Sequence, residues 1–145
     1  MDSIDRSALV PYTPHEMFVL VTDAEAYPQF LPWCCGADVL SYENNEMVAR
    51  LDFSVGGVSK SFSTRNRHRP DAEVEIELVD GPFSHLQGRW LFQPLGEQGC
   101  KISLFLEYDF SSKMVGMVVG PVFSQIANSL VDAFQKRAAE VYGQR

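Results

Sequence analysis

The stretch KMVGMVVGPVFSQIANSLVDAFQKRAAEVY, from Lys113 to Tyr142, decides the fold of this chain. It predicts one long amphipathic helix, roughly 45 Å long if straight, because apolar residues recur at helical spacing. These residues are Val115, Val118, Val119, Val122, Phe123, Ile126, Leu130, Phe134, Ala138 and Val141. Ser111-Ser112 supplies an N-cap, and Gly120-Pro121 is expected to bend the helix because proline removes an intrahelical hydrogen bond. The apolar stripe must be buried against another element.

The residues before this helix alternate between apolar and polar, which is typical of antiparallel strands. Turn signals interrupt the alternation between Gly36 and Phe110 at short intervals. They are Asn44-Asn45, Gly56-Gly57, Pro70-Asp71 and the segment from Gly96 to Gly99. The asparagine and glycine pairs suit tight hairpin loops, which require positive φ. The pattern predicts about six strands, and the stretch from Ser3 to Val10 adds a seventh.

Two short helices are predicted after the first strand. Thr13-Pro14-His15-Glu16 forms a capping box with proline at the first helical position, and Asp23 caps a second turn that ends at Tyr27-Pro28. The predicted fold class is α+β, with a curved antiparallel sheet of six to seven strands wrapped around the long C-terminal helix. We expect a single domain over residues 1–145, in which sheet and helix enclose a cavity at one end.

Charge and composition narrow the class of protein. Twelve Lys and Arg against nineteen Asp and Glu give a net charge of −7, which disfavours binding to DNA or to anionic lipid surfaces. The first residues carry acids and lack the apolar region of a secretory signal, and no apolar run approaches the roughly 20 residues that span a bilayer. We therefore expect a cytoplasmic protein with no integral membrane segment and no DNA partner.

No residue pattern indicates catalysis or a bound cofactor. His15, His68 and His85 lack a second ligand at metal spacing, so we expect each to be exposed or hydrogen-bonded. The chain has no nucleophile elbow, phosphate-binding glycine loop or dinucleotide fingerprint. The three cysteines are expected to be buried thiols, and neither Cys34 nor Cys35 has a base next to it in the sequence. The sequence predicts no metal site, no cofactor and no enzyme activity.

A basic stripe has two interpretations. Three arginines share one face of a predicted strand, and three glutamates share one face of the next. They are Arg65, Arg67, Arg69 and Glu73, Glu75, Glu77. A hairpin turning at residues 70–72 pairs 69 with 73, 67 with 75 and 65 with 77, which favours a cross-strand charge ladder over a patch that binds RNA or phosphate. The same register turns a mostly apolar face inward, as a small-molecule cavity requires.

Three stretches of the chain resemble a known family. They are AYPQFLPWC at Ala26 to Cys34, VDGPFSHLQGRWLFQPL at Val79 to Leu95 and VDAFQKRAAEVYG at Val131 to Gly143. These are similar to the START-like coenzyme Q-binding family, within the polyketide cyclase and lipid transport superfamily. The similarity is strongest to its bacterial ribosome-association toxin branch. The resemblance covers nearly the whole chain and implies a helix-grip fold, in agreement with the order of elements above.

The resemblance implies two functions of different kinds. The first is non-enzymatic binding of a hydrophobic ligand, ubiquinone or a related polyprenyl lipid, which supports respiratory quinone function. The alternative is toxin-like inhibition of translation, in which the protein binds the large ribosomal subunit and blocks subunit association. Lys60, Lys136 and Arg137, which have no predicted acidic partner, favour the alternative, whereas the acidic net charge argues against it. We take ligand binding as the main hypothesis.

Inward alternation and the resemblance together define the candidate ligand-binding residues. They are Tyr27, Phe30, Leu31, Trp33, Phe62, Thr64, Asn66, Ile76, Leu78, Phe83, Trp90, Phe92, Leu104, Leu106, Tyr108, Val118, Val122 and Ile126. Family membership implies that the apolar connector from Tyr27 to Trp33 is a stiff lid near the cavity mouth. It is equally consistent with a plug for one end of the core.

Overall fold

The structure, a computed structural model, describes all of residues 1–145. Seven strands, two α-helices and one 3₁₀-helix follow each other along the chain. They are β1 (Asp2–Val10), α1 (Pro14–Thr22), the 3₁₀-helix (Ala24–Gln29), β2 (Cys34–Glu43), β3 (Glu46–Val55), β4 (Val58–Arg69), β5 (Glu73–Asp80), β6 (Phe83–Leu95), β7 (Gly99–Phe110) and α2 (Lys113–Tyr142). The predicted fold class and element order are confirmed.

All seven strands form one antiparallel sheet with the order β1-β7-β6-β5-β4-β3-β2. Each strand from β2 to β7 therefore pairs with its neighbour in sequence, and β1 closes onto β7. The predicted hairpin loops have the positive φ that their residues favour, with Asn44 at 53° and Gly56 at 56°. In the β4–β5 hairpin, Asp71 takes φ 61° and the register pairs 69 with 73, 67 with 75 and 65 with 77, as predicted.

The long helix α2 is the core helix of the fold. Its fully buried stripe consists of Val119, Phe123, Ile126, Ala127, Val131, Phe134 and Ala138. The Ser112 hydroxyl caps the helix by accepting a hydrogen bond from the Val115 N–H, and the helix continues through Pro121 without interruption. By length and composition alone α2 could cross a membrane, but here its apolar stripe is buried against the inner face of the sheet.

The short helices differ in one respect from the prediction. Thr13 and Glu16 form the expected capping box, in which each side chain bonds the other's backbone N–H. Asp23, in contrast, makes no side-chain cap, and the second element is a 3₁₀-helix. The cap fails because Asp23 has φ −85° and ψ 70°, outside the extended conformation that directs an N-cap side chain back to the helix.

Candidate functional site

A largely apolar cavity of about 90 Å³ lies between α2 and the inner face of the sheet. Seventeen residues line it, and fifteen of these are hydrophobic. Nine of the predicted ligand-binding residues belong to this lining. They are Tyr27, Trp33, Phe62, Thr64, Asn66, Ile76, Trp90, Leu106 and Ile126. The connector, strands β4 to β7 and α2 all contribute, so the cavity exists only in the folded chain.

Eight lining residues were not among the candidates. They are Val21, Leu51, Val74, Leu86, Phe123, Ala127, Leu130 and Phe134. Phe123, Leu130 and Phe134 belong to the apolar stripe of the helix already noted in the sequence, and Val74 shares the inward face of its strand with Ile76. Periodicity therefore contained the signal for these four. Val21, at the end of α1, had no such signal because its position depends on how α1 packs on the sheet.

Other candidates fill the core without lining the cavity. Phe83, Phe92, Leu104 and Tyr108 are at most 5% exposed. Phe83 stacks on Phe110, with ring centroids 5.3 Å apart, and Tyr108 meets Phe123 edge to face. Leu78 and Val122 are partly buried against the same core. The alternation of apolar and polar residues showed that these side chains point inward, but it did not show which of them border the cavity.

Val118 is a wrong prediction, because its side chain is 54% exposed. The neighbouring Val119 is 1% exposed and takes the inward position of this turn, together with Phe123 one turn later. Consecutive helical residues differ in direction by about 100°, so Val118 and Val119 do not share a face. The run of apolar residues at this end of α2 concealed which residue points inward.

A groove of about 720 Å³ lies outside the cavity, between the connector and α2. Phe30, Leu31 and Pro32 form one side of it, and Ala133 and Lys136 lie on the other. Two residues, Trp33 and Ile126, line both the groove and the cavity. These two side chains therefore form the wall that separates the two spaces.

The connector packs tightly where it crosses α2. The rings of Tyr27 and Phe30 both meet Phe134 edge to face, with centroids 5.5 and 5.3 Å away. The Arg137 guanidinium lies 4.9 Å from the Phe30 ring centroid and donates to the Gln29 side chain at 3.0 Å. The connector thus packs against one end of the core and also borders the groove, and its role as a lid stays a prediction.

The indole of Trp33 is an unusual feature of this wall. Trp33 is 8% exposed, and its Nε1–H has no hydrogen-bond partner in the protein. Its backbone is held in place, because the Ser54 N–H donates to the Trp33 carbonyl at 2.9 Å. Buried polar groups are nearly always hydrogen-bonded, so an unpaired donor beside a cavity requires an explanation.

Besides the indole N–H groups of Trp33 and Trp90, the polar groups on the side chains that line the cavity are hydroxyl and amide groups. The Thr64 hydroxyl donates to Asn66 Oδ1 at 3.0 Å, and the Tyr27 hydroxyl donates to the Val21 carbonyl. Burial raises the pKa of Tyr27 well above its usual value, so its phenol stays protonated near neutral pH. The cavity therefore contains hydrogen-bonding groups but no group that exchanges a proton at neutral pH.

The histidines and cysteines correct two further expectations. His15 Nδ1 lies 2.8 Å from Asp71, and His68 is buried beside Tyr42, but His85 Nε2 is buried without a partner.

Among the cysteines, Cys35 is exposed, whereas Cys34 and Cys100 are buried and burial raises the pKa of both thiols to about 11. Cys35 is the extra residue in the bulge of β2 between Cys34 and Gly36, where alternation is broken and burial cannot be inferred from it.

The arginine stripe on the outer face of the sheet is neutralised by carboxylates. Arg65 lies 2.9 Å from Glu46, Arg67 lies 3.4 Å from Glu46, and Arg69 lies 3.3 Å from Glu73. Lys60, Lys136 and Arg137 have no carboxylate within 4.0 Å, so the available cations lie elsewhere. Arg65 also lies 3.7 Å from Glu77, so two of the three predicted rungs of the charge ladder, 65–77 and 69–73, form ion pairs. The third rung does not form, because Arg67 pairs with Glu46 and Glu77 and not with Glu75.

Relatives cover the whole chain. The ribosome association toxin RatA of Vibrio cholerae is 45% identical over 144 residues, which are 99% of this chain and 100% of that protein. The protein of the same name from Pseudomonas aeruginosa is 46% identical over 140 residues, 97% of each chain. A more distant relative, the mitochondrial coenzyme Q-binding protein COQ10 homolog B of Xenopus laevis, is 26% identical and matches 97% of this chain but 59% of its own.

Solved structures show the same architecture. An 18 kDa protein of Caulobacter crescentus matches with a TM-score of 0.76 and 28% identity, over 99% of both chains. The Zhui aromatase/cyclase of a Streptomyces strain matches with a TM-score of 0.86 and 13% identity, also over 99% of both chains, and so shares the fold. The sequence model of the family described as polyketide cyclase / dehydrase and lipid transport matches residues 10–135. With this match over most of its length, the chain belongs to the START-like polyketide cyclase and lipid transport family.

Proposed function

We propose that this protein binds a hydrophobic small molecule of the quinone or polyprenyl type in its interior cavity and acts as a carrier in the cytoplasm. One observation carries the proposal: a cavity between sheet and helix in which fifteen of seventeen lining residues are hydrophobic. Apolar surface removed from water contributes roughly 25 cal/mol per Å², so such a lining favours an apolar guest. The name of the Xenopus laevis relative, a coenzyme Q-binding protein, supports a quinone as that guest.

The size of the cavity defines how the ligand would bind. An engineered cavity of about 150 Å³ holds benzene, so 90 Å³ is too small for a quinone ring unless a wall moves. Trp33 and Ile126 form the wall toward the 720 Å³ groove, and rotation of the Trp33 side chain would join the two spaces. The proposed arrangement therefore places the ring in the cavity and the isoprenoid chain along the groove.

The polar groups of the cavity support binding without catalysis. Tyr27 is the one lining residue with an ionisable side chain, and burial keeps its phenol protonated. General acid–base catalysis needs a group whose pKa lies near the working pH. Transport of the ligand, rather than its conversion, is the role that these residues favour.

The first test is mass spectrometry of an organic-solvent extract of the purified protein. Ala127 is 1% exposed and lines the cavity, so Ala127→Leu places three more carbons in that space. Ala139→Leu, on the same helix but outside both spaces, is the matched control. We expect a stoichiometric quinone or polyprenyl lipid from wild type and Ala139→Leu, and little from Ala127→Leu. An equal yield from Ala127→Leu, or an empty extract from all three, would contradict the proposal.

A titration provides a second test, because both tryptophans of the chain, Trp33 and Trp90, line the cavity. A short-tailed ubiquinone that enters the cavity should quench their fluorescence to saturation. Phe30→Ala should weaken this binding several-fold because Phe30 borders the groove proposed for the chain. Quenching that never saturates would indicate collision in solution and would count against a site.

A second candidate function is association with the large ribosomal subunit, followed by inhibition of subunit joining. The specific observation in its favour is identity of 43–46% over nearly the whole chain with proteins named for ribosome association. Arg137 is already engaged with Phe30 and Gln29, which leaves Lys136 as the free cation on this face of α2. Lys136→Glu should abolish cosedimentation with purified large subunits, whereas Lys113→Glu, at the opposite end of α2, should not. Unchanged cosedimentation of Lys136→Glu would exclude this face as the contact.

A further inference from the structure

A second apolar stripe on α2 faces solvent. Met114 is 76% exposed, Met117 75% and Val118 54%, and Pro121 is also exposed. Residues that follow the first by three, four and seven positions share one face of a helix, so these four side chains form one patch. The segment that makes α2 apolar enough to cross a membrane is only 28% buried in the fold. Clustered apolar side chains in contact with water indicate a surface that binds an apolar partner.

The fold prevents this patch from turning inward. On the other side of the same turns, a Cβ at Gly116 would lie 3.4 Å from the Phe110 side chain, and one at Gly120 would lie 3.5 Å from it. Val119, between these glycines and the core, is 1% exposed. A rotation of α2 that buried Met114 would therefore pull these three residues out of the core.

The patch continues the groove along one face of α2. Gln125 and Ser129 line the groove. Val118 and Pro121 precede Gln125 by seven and four positions, so they lie on the same face of the helix. At 1.5 Å per residue, Met114 lies roughly 16 Å before Gln125 along the helix axis. An isoprenoid chain that lies in the groove would therefore leave it over the patch.

The charges around the patch fit an uncharged lipid surface. Lys113 is the only charged residue of α2 before Asp132. A lysine at the edge of an apolar patch can extend its ammonium to lipid phosphates while the neighbouring side chains enter the acyl region. Two carboxylates, Asp2 and Asp109, line a surface groove together with Lys113 and Met117. Anionic lipid would therefore weaken the contact.

We propose that the patch formed by Met114, Met117, Val118 and Pro121 docks the protein on a zwitterionic phospholipid bilayer, so that the ligand passes between the groove and the membrane. The inference rests on the proposed function, because a lipid-soluble ligand has to be exchanged with a bilayer. Unbranched methionine side chains adapt to an irregular apolar surface such as lipid acyl chains. A second copy of the chain fits the patch less well, since two chains that each carry a net charge of −7 repel each other.

Flotation with phosphatidylcholine vesicles that contain no quinone tests the docking surface. Wild type should float with the vesicles, and Met114→Ser/Val118→Ser should bind them about tenfold more weakly, because two apolar side chains no longer leave water. Leu95→Ser/Val141→Ser is the matched control, since both residues are exposed apolar side chains outside the patch, and it should bind like wild type. Partial replacement of the lipid by phosphatidylglycerol should weaken wild-type binding.

A measurement of insertion does not depend on loss of binding. Val118→Trp places a fluorophore in the patch, and its emission should be quenched by phosphatidylcholine brominated on the acyl chains. Val141→Trp, on the same helix but outside the patch, should show no more quenching than wild type. Equal quenching of the two variants would overturn the proposed orientation on the bilayer.

The outcomes separate this inference from the proposed function, because docking is measured without a ligand. Wild type that does not float, Met114→Ser/Val118→Ser that floats like wild type, or binding that requires phosphatidylglycerol would each overturn the inference, whatever the cavity binds. A wild-type dimer that this double variant converts to monomer in light scattering would assign the patch to a second copy instead. If docking holds and the cavity binds no quinone, the proposed function alone fails.

The exchange step has its own test. The double variant Met114→Ser/Val118→Ser should bind a short-tailed ubiquinone in solution as wild type does, because neither residue lines the cavity or the groove. It should nevertheless transfer ubiquinone to vesicles several-fold more slowly. Equal transfer rates would show that the patch has no part in exchange of the ligand.

Discussion

At the scale of single residues, Gly88 is the glycine with the least room for a side chain. It lies on β6 between Ile76 and Leu106, both of which line the cavity. A Cβ there would overlap the Phe105 carbonyl oxygen and come within 2.7 Å of the Leu106 side chain. Because a backbone atom of a central strand cannot move aside, glycine is required by space and not by φ.

Gly88→Ala should therefore lower the free energy of unfolding by about 2 kcal/mol or more, as overpacked cores do. Gly116→Ala is the control, since its Cβ would meet only the Phe110 side chain, at an ordinary contact distance of 3.4 Å. We expect a loss below about 1 kcal/mol for the control. Urea unfolding of both variants measures the difference, and equal losses would show that the sheet relaxes around Gly88.

The cysteines give a second prediction at this scale. Burial raises the pKa of Cys34 and Cys100 to about 11, so at pH 8 each of these thiols is ionised in about one molecule in a thousand. Cys35 is exposed. Iodoacetamide at pH 8 should label one cysteine per native chain, at Cys35, and all three in urea. Rapid native labelling of Cys34 would mean that the connector opens far more readily than its packing indicates.

At the scale of elements, the start of α1 is joined to the end of the chain. Arg145 donates to both carboxylate oxygens of Glu16, at 2.6 and 2.7 Å, and the Thr13 backbone N–H donates to the same carboxylate. The Arg145 guanidinium also lies 5.3 Å from the Tyr12 ring centroid. Glu16 therefore completes the capping box of α1 and fastens the residues that follow α2.

This contact predicts a specific dependence on pH. The hydrogen bond from Arg145, followed by the one from the Thr13 N–H, lowers the pKa of Glu16 from 4.5 to about 2. A carboxyl whose pKa is lower in the folded state stabilises the fold above its unfolded pKa, and loses that contribution as the pH falls from about 4.5 to about 2. Glu16→Gln should lower the melting temperature at pH 7 by a few degrees and flatten its fall below pH 4.5.

The control is Glu75→Gln, because Glu75 is exposed and has no cation within ion-pair distance. Thermal melts from pH 7 to pH 2 should give wild type and Glu75→Gln the same profile. A Glu16→Gln profile parallel to wild type across this range would show that Glu16 is not the group whose protonation matters.

At the scale of the whole molecule, ligand binding and stability are coupled, because the cavity exists only when connector, sheet and α2 are assembled. A ligand that binds only the folded state stabilises it by about 2.7 kcal/mol at one hundred times its Kd. Short-tailed ubiquinone should therefore raise the melting temperature by several degrees, increasingly with concentration. Ala127→Leu should lose most of this shift and Ala139→Leu should keep it. A shift that persists in Ala127→Leu would place the ligand outside the cavity.

The architecture was predictable because it depends on patterns that act over short distances along the chain. Helical spacing from Lys113 to Tyr142 and period-two alternation before it determine which faces must be buried. Turn residues such as Asn44 and Gly56 determine where the strands reverse. Once the buried faces and the chain reversals are known, an antiparallel sheet packed around one helix follows. The same patterns identified nine of the residues that line the cavity.

The sequence by itself thus determined the fold class, the hairpin register that pairs the arginine stripe with glutamates, and the inward direction of most candidate residues. Only the tertiary structure decided that Val118 faces outward, that the cavity measures about 90 Å³, and that the indole N–H of Trp33 has no partner. Periodicity along one element specifies a direction, but empty space and unpaired donors depend on how side chains from several elements meet. Those are properties of the packed core, and the proposed function depends on them.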